Sequence, residues 1–511
     1  MPIAIYAAVF LAMLDVSVVV LALPSIQTDL DGSTSLGQWV IAAYTVCLSV
    51  LSLSVGAVSD RYGRKRLFLI GVAIFTVGSV SCALAWSPAV LIAARLVQGV
   101  GAAIVVPGSL SLVARSFTEP SKRARAIAGW STTAASAALA GPIIGGLLVN
   151  ALGWRSVFWI NLPIGIVALA LGWRFLHESA DPEHTDIDPV GQLLGICVLG
   201  TLSYGLINAG EHGWNAPITW IPLTLSAVAL PVFVAVEARQ LRPMLPVRLF
   251  TDRRFTIPIL GAFTVGFSLL ALGVFIPAYL QQGQHHSAAV AGLIMVPPAL
   301  VAVITPFLTG RILAKTGPVT PITGGLAAAA TGALLLLTVN ADGPPWVVIV
   351  AMSVLNLGYS FAVPATSAAV LDAVHDSRAG TASATASAVR QTGTTLGIAV
   401  LGTILAARLA APASGEVDAA QTSGLHGMAI TAAGVALITA LVCAVGLRTS
   451  RLRAPNPEGA RNVPTIERTD PDAFTPSATA VTRRPSGRLL WLLIIITTLA
   501  LTIVASIMIG A

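Results

Sequence analysis

Gly56-Ala57-Val58-Ser59-Asp60-Arg61-Tyr62-Gly63 closes the second of many apolar runs, and Gly310-Arg311-Ile312-Leu313-Ala314-Lys315-Thr316-Gly317 closes the tenth. Both stretches run from glycine to glycine over the same spacing, and both carry a basic residue two positions before the second glycine. Gly310 stands 254 residues beyond Gly56, about half of a 511-residue chain. A basic residue also opens the span three further on in each half, Arg125 and Arg378. Parallel halves of this kind, each of six spans, are what duplicated transport proteins show.

The composition leaves one solvent for such a chain. Hydrophobic residues make up 55% of it and charged residues 10%, against about 25% charged in ordinary soluble domains. A spanning helix needs roughly 20 mostly apolar residues, and the sequence supplies fifteen such runs. The first, from Ile3 to Pro24, has no basic residue before it and no small-residue cleavage site, so it is expected to stay as a span. The fold class is an all-α membrane protein. The six-helix bundles are expected over 1–176 and 254–447, with two inserted spans over 190–237. A basic, Pro/Ser/Thr-rich linker at 448–488, expected to be disordered, precedes an additional apolar helix at 489–509.

Charge sets the expected orientation. The net charge is +7, and the positives sit in short connections between apolar runs, where they fix topology rather than grip nucleic acid. Placing the N-terminus in the cytoplasm puts 17 short-connection Arg and Lys residues there and leaves Arg155 and Arg408 outside. Cys47, Cys82, Cys197 and Cys443 fall inside apolar runs without metal-ligand spacing and read as packing residues. The acidic stretch Glu178, Asp181, Glu183, His184, Asp186 and Asp188 reads as a solvated loop, with Asp188 capping the next helix rather than as a metal site. No metal and no cofactor are expected.

Asp15 is the acid placed deepest in a span. Nine residues before Pro24, it lies about 14 Å from that end at 1.5 Å per residue. Burying it ionised costs about 2.5–3.5 kcal/mol on the insertion scale. Desolvation favours its protonated form and a nearby cation favours the ionised form, so its protonation can switch. Arg95 reaches a similar depth from an antiparallel span. It either pairs with Asp15 or donates to Gln98 or to backbone carbonyls. A purely structural pair that fixes helix packing is the alternative reading.

Other residues form weaker patterns. Gly56, Asp60, Arg61, Gly63 and Arg64 suit a cytoplasmic latch, in which the carboxylate neutralises a helix end or pairs with Arg64. Gly141, Pro142, Gly145 and Gly146 interrupt the fifth span and permit close packing. Arg390 and Gln391 form a second buried polar site. Tyr44, Gln98, Tyr204, Asn208, Phe263, Phe267, Asn356, Tyr359 and Ser360 are cavity-lining candidates.

Together these stretches resemble the major facilitator superfamily, in particular its fourteen-span drug:proton antiporters of the EmrB/QacA type. The matching residues are Leu14-Asp15 through Ala22-Leu23-Pro24, Gln38-Trp39 to Tyr44, the 56–66 connection and Arg95 through Gln98-Gly99 and Gly101. So are Gly141-Pro142 with Gly145-Gly146, Trp154-Arg155 through Phe158-Trp159-Ile160-Asn161-Leu162-Pro163, and Arg390-Gln391 through Gly393 and Gly397. The resemblance implies proton-driven efflux by alternating access in a bacterial cell membrane. Asp15 and Arg95 would be the coupling pair, and the glycine-proline span would limit leak or set direction. Acids in C-terminal spans, which relatives that export dications carry, are missing, so neutral or amphiphilic substrates are expected. Export of one specific metabolite, peptide, siderophore or lipid is the alternative. The expected partners are a small hydrophobic substrate, protons and membrane lipid, around a monomer and without nucleic acid. A fifteenth run departs from the fourteen-span pattern. No Gly-rich phosphate loop ending in Lys-Ser or Lys-Thr occurs, which argues against an ATP-driven pump, and an enzyme is not expected.

Overall fold

The computed structural model describes residues 2–116, 119–178, 188–240, 243–375, 378–410 and 417–451. Without water to satisfy exposed peptide groups, lipid favours backbone that bonds within its own segment. Among the described residues, 14 helices are long and apolar enough to cross a membrane. In the first half these are α1 (Ile3–Asp29), α2 (Thr34–Gly56), α3 (Arg64–Ala83), α4 (Pro88–Val113), α5 (Ser121–Leu152) and α6 (Ser156–Phe175). Then come α7 (Pro189–His212) and α8 (Pro217–Arg239). The second half holds α9 (Arg253–Gln282), α10 (Ala288–Thr316), α11 (Val319–Thr338), α12 (Trp346–Asp372), α13 (Ala379–Leu409) and α14 (Val417–Leu447). The expected fifteenth run at 489–509, and the linker beyond Arg451, lie outside the described residues. The helix that contains α14 continues to Arg451, past the expected start of that linker.

Six helices pack on each side. In the first bundle α1 contacts α4, α5 and α6, α2 contacts α4, and α3 contacts α4 and α6. In the second, α11 packs on α12 and α14, α10 on α12, and α9 on α12, α13 and α14. The inserted α7 lies across the seam where α2 meets α13. It is tied to α2 by Gln192 Nε2, which donates to the Val50 carbonyl at 2.9 Å, and to α13 by Thr403 Oγ1, which donates to the Leu206 carbonyl at 2.6 Å. Outside it, α8 turns Trp220, Ile221, Leu225 and Val228 outward, as a helix with lipid for a neighbour does. Asp188 caps α7 by accepting from the Gly191 N–H at 2.8 Å, as expected from its position.

The repeat that organises the sequence has a structural counterpart. The helix that contains α2 runs on to Tyr62, so most of the stretch read as a connection is helical. It stops at Gly63, whose φ of 102° no side chain tolerates well. The Gly63 N–H donates to the Ser59 carbonyl at 3.1 Å, and α3 begins at the next residue. The second copy closes alike. The helix reaches Thr316, Gly317 takes φ 69°, and its N–H donates to the Leu313 carbonyl at 2.9 Å. Because spans alternate in direction, both turns lie on one face, which also bears most of the arginines. It is called the basic face below, and its opposite the far face.

The glycine-proline segment does not interrupt α5. One helix runs from Pro120 to Leu152 with Pro142 inside it. A missing amide removes one hydrogen bond, whereas a break would leave several peptide groups unpaired in lipid. The real irregularity is in α9, where Gly266–Leu270 forms a π-helical turn. There Gly266 presses on the Arg390 carbonyl and Gly393 on the Phe263 carbonyl.

Candidate functional site

Three helices of the first bundle deliver a polar cluster into its apolar interior. Asp15 from α1 and Arg95 and Gln98 from α4 are all completely buried, as is Asn161 near the start of α6. Arg95 and Gln98, three apart, share one face of α4. Gly99, on the next position, lets α4 close on α2, since a β-carbon there would sit 2.8 Å from the Tyr44 carbonyl.

The Asp15 carboxylate is fully engaged. Arg95 Nη1 donates to Oδ2 at 2.7 Å, while Oδ1 accepts from Gln98 Nε2 at 2.8 Å and from Asn161 Nδ2 at 2.9 Å. The guanidinium is held from further sides. Its Nη1 also donates to Gln98 Oε1 at 2.8 Å, its Nε donates to the Val40 carbonyl at 2.8 Å, and the Tyr44 ring centroid lies 4.5 Å from Cζ. The alternatives left open by the sequence for Arg95 therefore hold together: it binds the acid, the glutamine and a carbonyl at once.

A chain of donors leads on from this pair. Asn161 Nδ2 also donates to Ser79 Oγ at 2.9 Å, and Ser79 Oγ donates to the Phe158 carbonyl at 2.9 Å. Two buried atoms of the cluster, Arg95 Nη2 and Asn161 Oδ1, find no hydrogen-bond partner among the described residues. The arrangement suits an ionised carboxylate, because every contact to it comes from an N–H. Desolvated acids of this kind ionise only with such compensation. A proton arriving here removes the charge that Arg95 answers.

The whole-chain comparisons agree with this architecture. A family model described as Major Facilitator Superfamily matches residues 5–398. The chain belongs to the major facilitator superfamily. It is 38% identical over 403 residues to the multidrug resistance protein Stp of Mycobacterium tuberculosis, covering 79% of this chain and 75% of that one. It is 34% identical over 404 residues to the drug efflux pump JefA of the same species, covering 79% of each. Among solved structures, a peptide transporter POT in complex with sulfate superposes with a TM-score of 0.66 at 14% identity, over 88% of this chain and 94% of that one. This facilitator is thus a multi-pass membrane transporter and not an enzyme.

Other residues singled out from sequence are more scattered in this facilitator. Tyr44 and Gln98 join the Asp15 cluster. Tyr204 faces outward from α7 and packs on Trp39, with ring centroids 5.5 Å apart, and Asn208 donates to the Tyr204 carbonyl one turn back. Phe263 and Phe267 stack on each other at 5.9 Å where α9 meets α13. Asn356 spends its amide on the Met352 carbonyl of its own helix. Tyr359 and Ser360 do line a cavity of about 200 Å³, with Leu269, Ala302, Pro306 and Val363. Arg390 is half-buried and donates to Ser387 Oγ at 3.3 Å, and Gln391 beside it is also half-buried.

At the turn 56–66 the side chain of Asp60 lies outside the described residues, and Gly56 and Arg61 are exposed while Arg64 is buried. Among the described side chains the partner that binds here is Glu178, from the end of the same bundle. Its carboxylate accepts from the Lys65 and Arg66 N–H groups, each at 3.1 Å, which places an anion at the amino end of α3. Glu178 is exposed beyond the end of α6, as expected of a solvated loop, and its capping of α3 is not legible from the loop's composition. Asn161 has no role assigned from sequence, and the signal for one is an amide five residues into an apolar span.

In α5, Gly141 lies against Ser17 of α1 and Gly145 against Val18 Cα at 2.9 Å, within the first bundle. Gly146 meets the second bundle at Ala288 of α10, and the Pro142 carbonyl meets Gly292. The described polar contacts between the bundles follow the same pattern. Gln281 Nε2 donates to the Leu21 carbonyl at 3.2 Å, Gln282 Nε2 to Gln27 Oε1 at 3.0 Å and Thr395 Oγ1 to Thr45 Oγ1 at 2.9 Å, and Gln38 packs on Gly402. All lie between mid-span and the far face.

Proposed function

We propose that this transporter exports small hydrophobic or amphiphilic compounds, drugs and antibiotics among them, in exchange for protons by alternating access. The observation that carries the reading is the Asp15–Arg95 pair, a titratable carboxylate and its counter-cation sealed at 2.7 Å inside the first bundle. The names of the related proteins, a multidrug resistance protein and a drug efflux pump, support export of drug-like molecules. The positive-inside distribution supports a bacterial cell membrane with the N-terminus and the basic face in the cytoplasm. On that orientation the contacts between bundles close the outer side, and the molecule is poised to load from within.

In the cycle that follows, substrate and proton compete through the state of one carboxylate. Ionised Asp15 holds Arg95 on α4 and fastens α1 to α4 and α6. Protonation weakens that fastening and lets the bundles rock apart at the far-face contacts. No bound cofactor is required, because the proton gradient supplies the work, about 2.3 kcal/mol per charge per 100 mV of membrane potential. The substrate, lipid and protons are the partners, and a monomer is sufficient.

Uptake of a fluorescent dye or an antibiotic into everted vesicles tests the reading. Accumulation should require an inside-acid gradient and collapse with a protonophore. Accumulation that persists without any proton gradient would remove the coupling. Accumulation confined to one metabolite, peptide, siderophore or lipid would replace drugs by that cargo.

A further inference from the structure

Arg95, Gln98 and Asn161 donate to Asp15, and Asn161 alone of the three comes from a helix other than α4. Resting on the proton-coupling reading of Asp15, we propose that Asn161 is a positioning residue whose amide sets how readily that carboxylate takes up the transported proton.

Asn161 is completely buried, and its Nδ2 contacts Asp15 Oδ1 and Ser79 Oγ at 2.9 Å each. Ser79 is in turn anchored on the Phe158 carbonyl. The amide is therefore aimed at the acid by a fixed hydroxyl rather than by packing alone. Its own Oδ1 is buried and has no partner among the described residues. Once Asp15 carries a proton it becomes a donor and needs an acceptor. Turning the amide over places Oδ1 where Nδ2 stood, within reach of the new O–H, and Ser79 can rotate its hydroxyl from the Phe158 carbonyl to donate to the same oxygen. One side chain thus serves both protonation states of Asp15.

The groups that face Asp15 leave few rivals for this role. Titratable neighbours are Arg95 from α4, Tyr44 from α2 beneath the guanidinium and Cys82 from α3, whose Sγ lies 3.6 Å from Gln98 Oε1. From α5 the segment against α1 presents Gly141 and Gly145, and from α9 the contact is the amide of Gln281. Among the described residues, α6 brings Asn161 and Phe158 to the cluster, the latter by its ring and its carbonyl, and neither titrates.

The direction of the effect follows from what is lost. Hydrogen bonds to a charged group are worth more than those to a neutral one. Removing the amide therefore weakens the ionised form more than the protonated form. Asn161→Leu should move the pH midpoint of transport upward by about one unit, the size of one charged hydrogen bond. Ser79→Ala, which frees the amide from its anchor, should move it the same way by less.

The test is infrared difference titration of the purified full chain, following the carboxylic-acid band that Asp15→Asn abolishes, together with the pH profile of dye transport in vesicles. The expected result is an upward shift of both in Asn161→Leu. If that variant gives no folded protein, Asn161→Ser and Ser79→Ala carry the same measurement. A titration and pH profile unchanged from wild type, in variants that fold, overturns the role of Asn161. A proton-driven profile that survives Asp15→Asn overturns the coupling reading instead, so the two failures are told apart.

Discussion

Gly146 of α5 lies so close to Ala288 of α10 that a β-carbon on the glycine would sit 2.6 Å from the alanine carbonyl oxygen. The pair joins the two bundles near the far face, and Pro142 and Gly292 repeat the contact one turn away. Backbones meet here without side chains between them, which is how helices associate closely in lipid, where no hydrophobic effect drives them together. Gly146→Leu should therefore prop the far face open. Overpacking costs about 1–3 kcal/mol, enough to lower the population of the closed state about 5–150-fold. A cysteine placed at Ala289 should become reactive to an impermeant maleimide from the far side, and transport should fall while expression is kept.

Gln38 should act in the opposite sense. Its side-chain nitrogen and oxygen are both buried and find no partner among the described residues in the closed arrangement, pressed against Gly402 of the other bundle. An unsatisfied buried polar group costs about 1–3 kcal/mol. Gln38→Leu removes that cost from the closed state alone. The variant should protect the Ala289 cysteine more strongly than wild type and turn over more slowly.

The Asp15–Arg95 pair is expected to behave as a buried ion pair in stability measurements. Asp15→Ala leaves Arg95 buried without its anion, a loss of about 3–5 kcal/mol. The double variant Asp15→Ala/Arg95→Met should recover most of that loss, because neither charge then remains. Thermal unfolding in detergent checks the cycle, and additive losses would show that the two side chains do not depend on each other.

The paired turns predict matched sensitivities. Gly63→Ala and Gly317→Ala each force a β-carbon into positive φ, 102° and 69° respectively, at about 1–3 kcal/mol. Gly63→Ala should be the worse of the two, since its β-carbon also meets the Glu178 carboxylate, 2.7 Å from Oε1. Folded yield and unfolding temperature of the two variants measure this.

What the sequence disclosed was what depth and repetition control. Helical rise alone brought Asp15 and Arg95 to one level from antiparallel spans, and the spacing of Gly56 to Gly63 and Gly310 to Gly317 marked both halves. What it hid depends on rotation about helix axes and on helix ends. Nothing in the identity of Tyr204, Asn208 or Phe263 says which way each faces, and the structure turns the first outward, the second onto a backbone carbonyl and the third onto the Phe267 ring. Asn161 follows a short helical turn, Ser156–Trp159, before the main run of α6, so counting residues from the end of the span places it too shallow to meet Asp15. Gly141-Pro142 looks like a break only if the penalty for ending a helix in lipid is left out.

Coupling requires that Asp15 carry the proton that moves. In proteoliposomes holding a pH dye, adding substrate to the wild-type protein should drive a proton flux opposite to the substrate, whereas Asp15→Asn should still bind substrate and produce no such flux. Undiminished substrate-driven proton movement in Asp15→Asn would contradict the account.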